Sequence, residues 1–176
     1  MKVKTKKVED FQPTVPNNVR LTKIISGGQI GVDIAALRAT KKWGMKTGGS
    51  MPEGWITLAG PKPGYSWKYK LDDSCVNYKT RTWKNVAEAD GTLRIATDFC
   101  SRGEVCTLNA IRNYHKPHLD VFFVPCEEYF KPPEEVAAWI VSENIHTLNV
   151  AGNADVELEL RVEIYITDVL NILKFG

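Results

Sequence analysis

The chain has 176 residues, 43% of them hydrophobic and 25% charged, and its formal net charge is +2. This composition is typical of a soluble globular protein and excludes a mostly disordered chain, a collagen-like chain and a simple coiled coil. No window approaches the roughly 18 uninterrupted apolar residues of a membrane span, so we predict no membrane partner. Four lysines among the first seven residues leave the remainder near −2, which argues against nucleic acid as a partner, since its binding needs many phosphate contacts.

Residues 1–18 are polar and contain two prolines, so we predict a flexible N-terminal lead followed by a single domain over residues 19–176. The lysine-rich start has neither the apolar core nor the small-residue cleavage site of a secretory signal. The four cysteines lack the two-residue spacing of a zinc or redox motif. Without a signal peptide, we expect reduced thiols and a cytoplasmic location.

The first predicted unit is a strand, a glycine turn and a helix. Residues 21–26 form a short β-rich run, and apolar residues then recur from Val32 to Trp43 with the spacing of an amphipathic helix. Gly44 ends this helix, as a glycine at a helix C-terminus does. Residues 45–80 are rich in glycine and proline, and they predict a long loop region with one short strand.

The rest of the chain alternates strands and helices. We predict strands at 92–96, 119–124 and 147–151, and helices at 104–114, 132–143 and 158–173. Strands separated by helices of this length imply a parallel sheet with helices on both faces. The predicted fold class is α/β, a three-layer sandwich with a mostly parallel sheet of about five strands.

Ligands of open α/β sheets bind beyond the carboxyl ends of the strands, and a glycine-rich turn follows the first strand. Such a turn at a helix N-terminus presents main-chain amides and the positive end of the helix dipole to an anion. The spacing is neither the dinucleotide fingerprint nor a P-loop. We predict that phosphate or another oxyanion binds here, at Ser26, Gly27, Gly28, Gln29, Ile30, Gly31 and Asp33. The alternative is a purely structural strand-to-helix turn.

Two further strand ends carry small or polar residues. The helix predicted after the 92–96 strand begins with a second candidate group: Ser101, Arg102, Gly103, Glu104 and Thr107. Its alternative role is a capping box formed by Ser101 and Glu104. The 147–151 strand ends at Gly152, which suits either a bare pocket rim or an ordinary turn.

Arg81, Thr82 and Asn85 precede the 92–96 strand, and such a group is able to hydrogen-bond an oxyanion. Their alternative role is to cap a short helix. His115 and His118 are separated by a proline and do not share a helical face, so we predict no metal site. No serine–histidine–acid arrangement and no carboxylate pair with catalytic spacing is visible, and we assign no catalytic residue.

Several segments resemble one known family. The sequence IISGGQIGVDIAAL at 24–37 resembles the IISGGQTGVDRAAL opening of the molybdenum carrier family, and YKTRTWKNVAEADGTL at 78–93 resembles its Y-x-x-RT-x-x-NV-x-x-SDGTL. Further matches at 47–54, 102–110 and 148–153 extend the resemblance over about residues 20–173. These proteins are similar in fold to the phosphoribohydrolases called Lonely Guy and to nucleotide-ligand sensors.

The resemblance implies a Rossmann-like fold and a cytoplasmic homo-oligomer, a dimer or tetramer, that binds an anionic pterin- or nucleotide-like ligand. The family's assigned role is to hold or carry the molybdenum cofactor, so that cofactor or a nucleotide-derived ligand is expected, with no metal bound directly by side chains. The match at 47–54 adds Gly48 and Gly49 to the expected ligand contacts. Five departures from the family pattern indicate a divergent member with weaker oxyanion affinity or another ligand: Ile30, Ile34, Met51, Glu53 and Glu104.

Three functions are consistent with these residues. The leading hypothesis is a non-catalytic carrier, sequestering protein or sensor, in which the amides of residues 27–32 bind phosphate and Arg81, Asn85 and Gly103 close the site. The second is hydrolysis of a nucleotide N-glycosidic bond with Glu104 or Asp33 as the carboxylate, although the P-G-G-x-G-T-x-x-E motif of the phosphoribohydrolases is absent. The third is a partner-binding protein without a small ligand.

Overall fold

The computed structural model describes residues 21–123 and 131–175, the last of them by its backbone only. Within these residues six strands form one sheet, and every pair of neighbouring strands runs parallel. In chain order the strands are β1 (Lys23–Ile25), β2 (Lys46–Pro52), β3 (Leu71–Cys75), β4 (Gly91–Ala96), β5 (His118–Phe122) and β6 (Thr147–Gly152). Their order across the sheet is β3-β2-β1-β6-β4-β5.

Six helices accompany the strands in the described ranges. They are α1 (Val32–Trp43), α2 (Tyr65–Tyr69), α3 (Tyr78–Glu88), α4 (Arg102–Tyr114), α5 (Pro133–Ser142) and α6 (Glu159–Phe175). α1 ends at Gly44 as predicted, because this glycine adopts the left-handed conformation (φ 90°) that closes a helix. None of the helices in residues 21–123 and 131–175 combines the length and the apolar character needed to cross a bilayer.

Helices cover both faces of the sheet, as predicted. On one face α1, α5 and α6 pack against β1, β4 and β6 in the largest apolar cluster, which includes Leu93 and Ile95 of β4. Successive strand residues point to opposite faces, and Arg94, between those two, contacts α4 instead. On that second face α3 and α4 pack together through Val86, Ala110 and Ile111. The predicted three-layer α/β sandwich is therefore confirmed, with six strands where about five were expected.

The largest difference from the prediction lies in residues 45–80. This stretch contains two strands, β2 and β3, and the short helix α2, where one short strand was predicted. The glycines of β2 concealed it, because glycine is depleted in strands. Gly49 is nevertheless required there: its φ is +123°, and a Cβ would lie 2.1 Å from the Ser26 carbonyl oxygen of β1's C-terminal end.

The helix α3 is also longer than expected, since the sequence suggested only a short helix near Arg81. Asn77 begins α3 by accepting a hydrogen bond from the Thr80 amide at 2.9 Å, a normal N-cap. The predicted lead at 1–18 and the end of the predicted 119–124 strand lie outside the described residues. The division into a lead and one domain stays a prediction.

Candidate functional site

A cavity of about 410 Å³, lined mostly by residues with polar or charged side chains, lies at the carboxyl ends of β1, β4 and β6. We call it the switch-point pocket, because the connections on its two sides run in opposite directions across the sheet. The connection through α1 runs from β1 to β2, toward one edge, and the connection through α4 runs from β4 to β5, toward the other edge. Crevices at such reversals of strand order are where open α/β sheets bind ligands. The predicted residues that line it are Gln29, Asp33, Arg81, Thr82, Ser101, Gly103, Glu104, Thr107 and Gly152.

The glycines of the β1–α1 turn make room for protein atoms. A Cβ on Gly27 would lie 1.6 Å from Arg81 Nη1, so the guanidinium occupies the space that a side chain would need. Gly28 has φ +69° and faces Leu71 and Met51, and Gly31 has φ +82° with its Cβ position 2.4 Å from the Asn153 carbonyl oxygen. Each glycine therefore has a packing reason that needs no ligand.

Four main-chain amides of this turn, those of residues 29–32, already have acceptors. The Gln29 amide donates to Asp33 Oδ2 at 3.3 Å, and the Ile30 amide donates to Gln29 Oε1 at 3.0 Å. The Gly31 amide donates to Glu159 Oε1 at 3.1 Å, and the Val32 amide donates to the Asn153 carbonyl at 3.2 Å. An anion at these four amides would have to displace protein acceptors. The amides of Gly27 and Gly28 have no acceptor among the described residues, so anion binding at this turn stays a prediction.

Arg81 and Asp33 form a buried ion pair at the edge of the pocket. Arg81 Nη1 lies 3.0 Å from Asp33 Oδ2, and the two side chains are 12% and 4% exposed. Burial raises the pKa of the Asp33 carboxyl, and the charge of Arg81 opposes this rise. Arg81 Nε is buried and has no acceptor among the described residues. Arg81 thus brings a positive charge to the pocket wall with one of its donors unused.

The N-terminal end of α4 faces the pocket with unused donors. The Glu104 amide donates to Ser101 Oγ at 3.4 Å, so Ser101 is the N-cap that the sequence suggested. The amides of Arg102 and Gly103 have no acceptor among residues 21–123 and 131–175. A Cβ on Gly103 would meet nothing within 4 Å, so this end of the helix is open. First-turn amides and the helix dipole attract anions.

Glu104 lines the same pocket, and its carboxyl group is almost fully buried. Its side chain is 3% exposed, and the nearest cation atom is Arg94 Nη1 at 3.7 Å from Oε2. Oε2 has no hydrogen-bond partner among the described residues. Burial raises the pKa of Glu104 to about 7, and the charge of Arg94 opposes the rise. A buried, incompletely paired carboxyl group in a cleft is a typical feature of functional sites.

The cation next to Glu104, Arg94, was not predicted as a residue of the site. Arg94 is 3% exposed on its side chain, donates from Nε to Asp120 Oδ1 at 2.7 Å, and pairs with Asp120 Oδ2 through Nη2. Its Nη1 donates to the Glu104 carbonyl at 3.2 Å. A signal was present, because an arginine inside the apolar TLRIA strand needs a buried anion, but the sequence does not show which one.

Asn153, directly after the predicted rim residue Gly152, is a second residue of the pocket that was not among the predicted ligand contacts. Its Oδ1 accepts hydrogen bonds from the amides of Thr97 at 2.8 Å and Asp98 at 3.1 Å. Its Nδ2 donates to the Asp98 carbonyl at 3.1 Å. Asn153 therefore ties the loop after β6 to the loop after β4 and fixes that side of the pocket, which the unpredicted residues Thr97, Asp98, Ala151, Asn153, Ala154 and Asp155 also line.

Nine of the predicted contacts do not line the pocket: Ser26, Gly27, Gly28, Ile30, Gly31, Gly48, Gly49, Asn85 and Arg102. Asn85 is buried and holds β2, since its Oδ1 accepts from the Ser50 amide at 2.8 Å and its Nδ2 donates to the Ser50 carbonyl at 3.1 Å. Ser26 Oγ donates to the Val150 carbonyl at 2.6 Å. Asn85 and Ser26 therefore hold strands of the sheet in place. Direct ligand contact by any of the nine residues stays a prediction.

The pocket carries more acids than bases. Among the residues that the structure describes, four carboxyl groups line it against the single guanidinium of Arg81: those of Asp33, Asp98, Glu104 and Asp155. No group of His, Cys, Asp and Glu side chains in the described part of the chain is arranged to hold a metal ion. An anionic ligand therefore depends on the α4 amides and Arg81, and it must tolerate nearby carboxyl groups.

Comparison with known proteins gives the family and the fold. The model of the circularly permutated YpsA SLOG family matches residues 24–171. A crystal structure of a protein named "Putative molybdenum carrier protein", from Syntrophus aciditrophicus SB, covers 87% of this chain and 94% of its own, with 32% identity and a TM-score of 0.70. This likeness confirms the Rossmann-like α/β fold. No curated protein matches the chain.

Proposed function

The chain belongs to the circularly permutated YpsA SLOG family, and on that basis we propose that it binds a small anionic ligand of nucleotide or pterin type in the switch-point pocket. In this proposal the protein is a carrier, sequestering protein or sensor and does not convert the ligand. The observation that carries it is the open N-terminal end of α4, whose Arg102 and Gly103 amides have no acceptor among the described residues. The cavity volume falls within the range of about 300–1,000 Å³ that is usual for small-molecule sites.

The position of the anion differs from the sequence expectation. At the start of α1 the Gln29 and Gly31 amides donate to the carboxylates of Asp33 and Glu159, so we assign the ligand's anionic group to the start of α4, in the pocket that Arg81 also lines. The carboxyl groups on the remaining wall suit a ligand that also carries hydrogen-bond donors, such as ribose hydroxyls or the amino edge of a purine or pterin ring. A nucleotide and a pterin phosphate both combine these features.

The molybdenum cofactor is one candidate within this class. Support comes from the Syntrophus protein, which is named as a molybdenum carrier and is 32% identical to this chain. The departures at Ile30, Ile34 and Glu104 remove polar or positive groups or add a carboxyl group, so a nucleotide is an equal candidate. We also propose a cytoplasmic homo-oligomer; the described cysteines Cys75, Cys100 and Cys106 have no disulfide partner, which supports a reducing compartment.

Binding is tested by native mass spectrometry of gently purified protein and by calorimetric titration with 5′-AMP and with molybdate. The matched variants are Gly103→Asp and Asn109→Asp. Both place one carboxylate on α4, but Gly103 lines the pocket and Asn109 does not. We expect Gly103→Asp to weaken binding at least tenfold through repulsion of the anion and Asn109→Asp to leave it within about twofold. Equal affinities in the two variants would contradict an anion at the start of α4.

One observation favours a second candidate, hydrolysis of a nucleotide N-glycosidic bond. The Glu104 carboxyl is buried in the pocket, and burial raises its pKa to about 7, a value suited to general acid–base catalysis. In this reaction water adds to the anomeric carbon as its bond to the base breaks. Chromatography after incubation with 5′-AMP would detect free adenine and ribose 5-phosphate. Release that disappears in Glu104→Gln would establish the enzyme, and its absence in the parent protein would exclude this substrate.

A further inference from the structure

We propose that Glu104 contacts the bound anion as a neutral carboxyl group, donating a hydrogen bond to a ligand oxygen, so that ligand binding takes up one proton. The inference rests on the proposed function, because it requires an anion at the start of α4. It adds a role for the Glu104 carboxyl group, which lines the pocket and is buried.

The geometry leaves one Glu104 oxygen without a partner. Oε2 is buried and has no hydrogen bond among the described residues, while the whole side chain is 3% exposed. Burying an ionised oxygen without a partner is costly. A neutral carboxyl group avoids that charge, and its hydroxyl then needs an acceptor, which an anionic ligand at the neighbouring Gly103 amide supplies.

Among the described residues, no cation pairs with Glu104 exclusively. Arg94 of β4 is the nearest, but its Nε and Nη2 bind the Asp120 carboxylate of β5, and Nη1 donates to the Glu104 carbonyl. The acids that act on Glu104 are Asp33 of α1, Asp98 of the loop after β4, and Asp120. On the α3 side Arg81 is paired with Asp33. Burial and these acids together raise the pKa of Glu104 to about 7, so the proton is available near neutral pH.

The protonation state decides whether the pocket accepts an anion at α4. An ionised Glu104 beside the ligand's anionic group would repel it, and the repulsion is strong where solvent is excluded. A neutral Glu104 removes the repulsion and adds one hydrogen bond to a charged acceptor. The alternative arrangement, in which ionised Glu104 accepts a hydrogen bond from a ligand hydroxyl or amino group, predicts the opposite pH dependence.

The test is the affinity for 5′-AMP and molybdate between pH 7 and 9, where the charges of both probes are constant. Because the free carboxyl titrates near 7, obligatory uptake of its proton predicts about a 50-fold loss of affinity over this range. Glu104→Gln keeps the size of the side chain and a donor but cannot titrate, so its affinity should be flat. Asp155→Asn removes another pocket acid and should keep the slope of the parent protein.

A direct count of protons separates this role from a structural one. Calorimetry in buffers of different ionisation enthalpy should find close to one proton taken up per probe at pH 8.5 in the parent protein and none in Glu104→Gln. Flat or rising affinity with pH in the parent, or an unchanged slope in Glu104→Gln, overturns the inference while the proposed function stands. Absence of binding by both probes at every pH refutes the proposed function itself.

Discussion

Removal of the Arg81 guanidinium is expected to lower the free energy of unfolding by about 3–5 kcal/mol, because it leaves the Asp33 carboxylate buried without its counter-charge. The two side chains are 12% and 4% exposed, and their charged atoms lie 3.0 Å apart. Arg81→Met keeps most of the aliphatic stem that packs beside Gly27, so the loss is chiefly electrostatic.

The assay is urea denaturation at pH 8 of Arg81→Met, Asp33→Asn and the double variant. Asparagine at 33 retains an acceptor for the Gln29 amide, so the double variant buries no unpaired charge. We expect it to be at least about 2 kcal/mol more stable than the sum of the single effects predicts. Lys84→Met is the matched control on the same helix: its partner Asp72 lies 3.1 Å away but both side chains are accessible, and such surface pairs contribute up to about 1 kcal/mol.

The pH dependence gives a second check on Arg81→Met. Burial raises the pKa of Asp33 and Arg81 opposes the rise, so loss of Arg81 raises this pKa further. A carboxyl whose folded pKa lies above its unfolded value contributes stability at low pH that is lost as the pH rises through the folded pKa. The variant should therefore be more strongly destabilised at pH 8 than at pH 5. Equal losses at both, or simple additivity in the double variant, would refute an electrostatic role for Arg81.

Three further predictions follow from packing. Gly28→Val should cost about 2–5 kcal/mol in urea denaturation, because φ is +69° and the new Cβ would lie 2.8 Å from Leu71 Cδ1; unchanged stability would show that the turn relaxes freely. Asn85→Leu should lower the free energy of unfolding by about 2–4 kcal/mol, since it removes the two hydrogen bonds that Asn85 makes with the buried Ser50 amide and carbonyl. A decrease below about 1 kcal/mol would show that these two hydrogen bonds contribute little to stability. Leu160→Glu is expected to convert the predicted homo-oligomer to monomer in light scattering, because Leu160 and Ile164 lie one turn apart on α6 and are 69% and 55% exposed; an unchanged mass would exclude this apolar pair as the contact.

The rim of the pocket could be predicted from local sequence. Gly152, Ser101 and Asp33 follow the ends of strands that periodicity detects, and parallel strands bring their carboxyl ends to one edge. The capping role of Ser101 was one of two alternatives, and the structure contains it together with a place on the pocket wall. These features depend on neighbours a few residues apart, which a sequence displays directly.

The chemistry inside the pocket depends on distant pairs that no local pattern reveals. Glu159 accepts from the Gly31 amide across 128 positions of the chain, and Arg94 meets Asp120 only because β4 and β5 are neighbours in register. The same holds for Gly49, whose need for a positive φ comes from β1 and not from a ligand. A glycine-rich turn therefore predicts that other atoms approach the backbone closely, but it does not show whether those atoms belong to a ligand or to the protein.

The distribution of acids among helix starts explains why the anion site belongs at α4. Asp33 and Glu159 accept amide hydrogens at the start of α1, so protein carboxyl groups already complement the positive end of that helix. Asn77 caps α3 in a neutral way. At α4 the carboxyl group of the first-turn acid, Glu104, lies beside Arg94, and the Arg102 and Gly103 amides have no acceptor among the described residues. Of the two helices whose first turns line the pocket, α1 and α4, α4 is the one whose first-turn amides still lack a negative partner, and a ligand that supplies one must also share the space with Glu104.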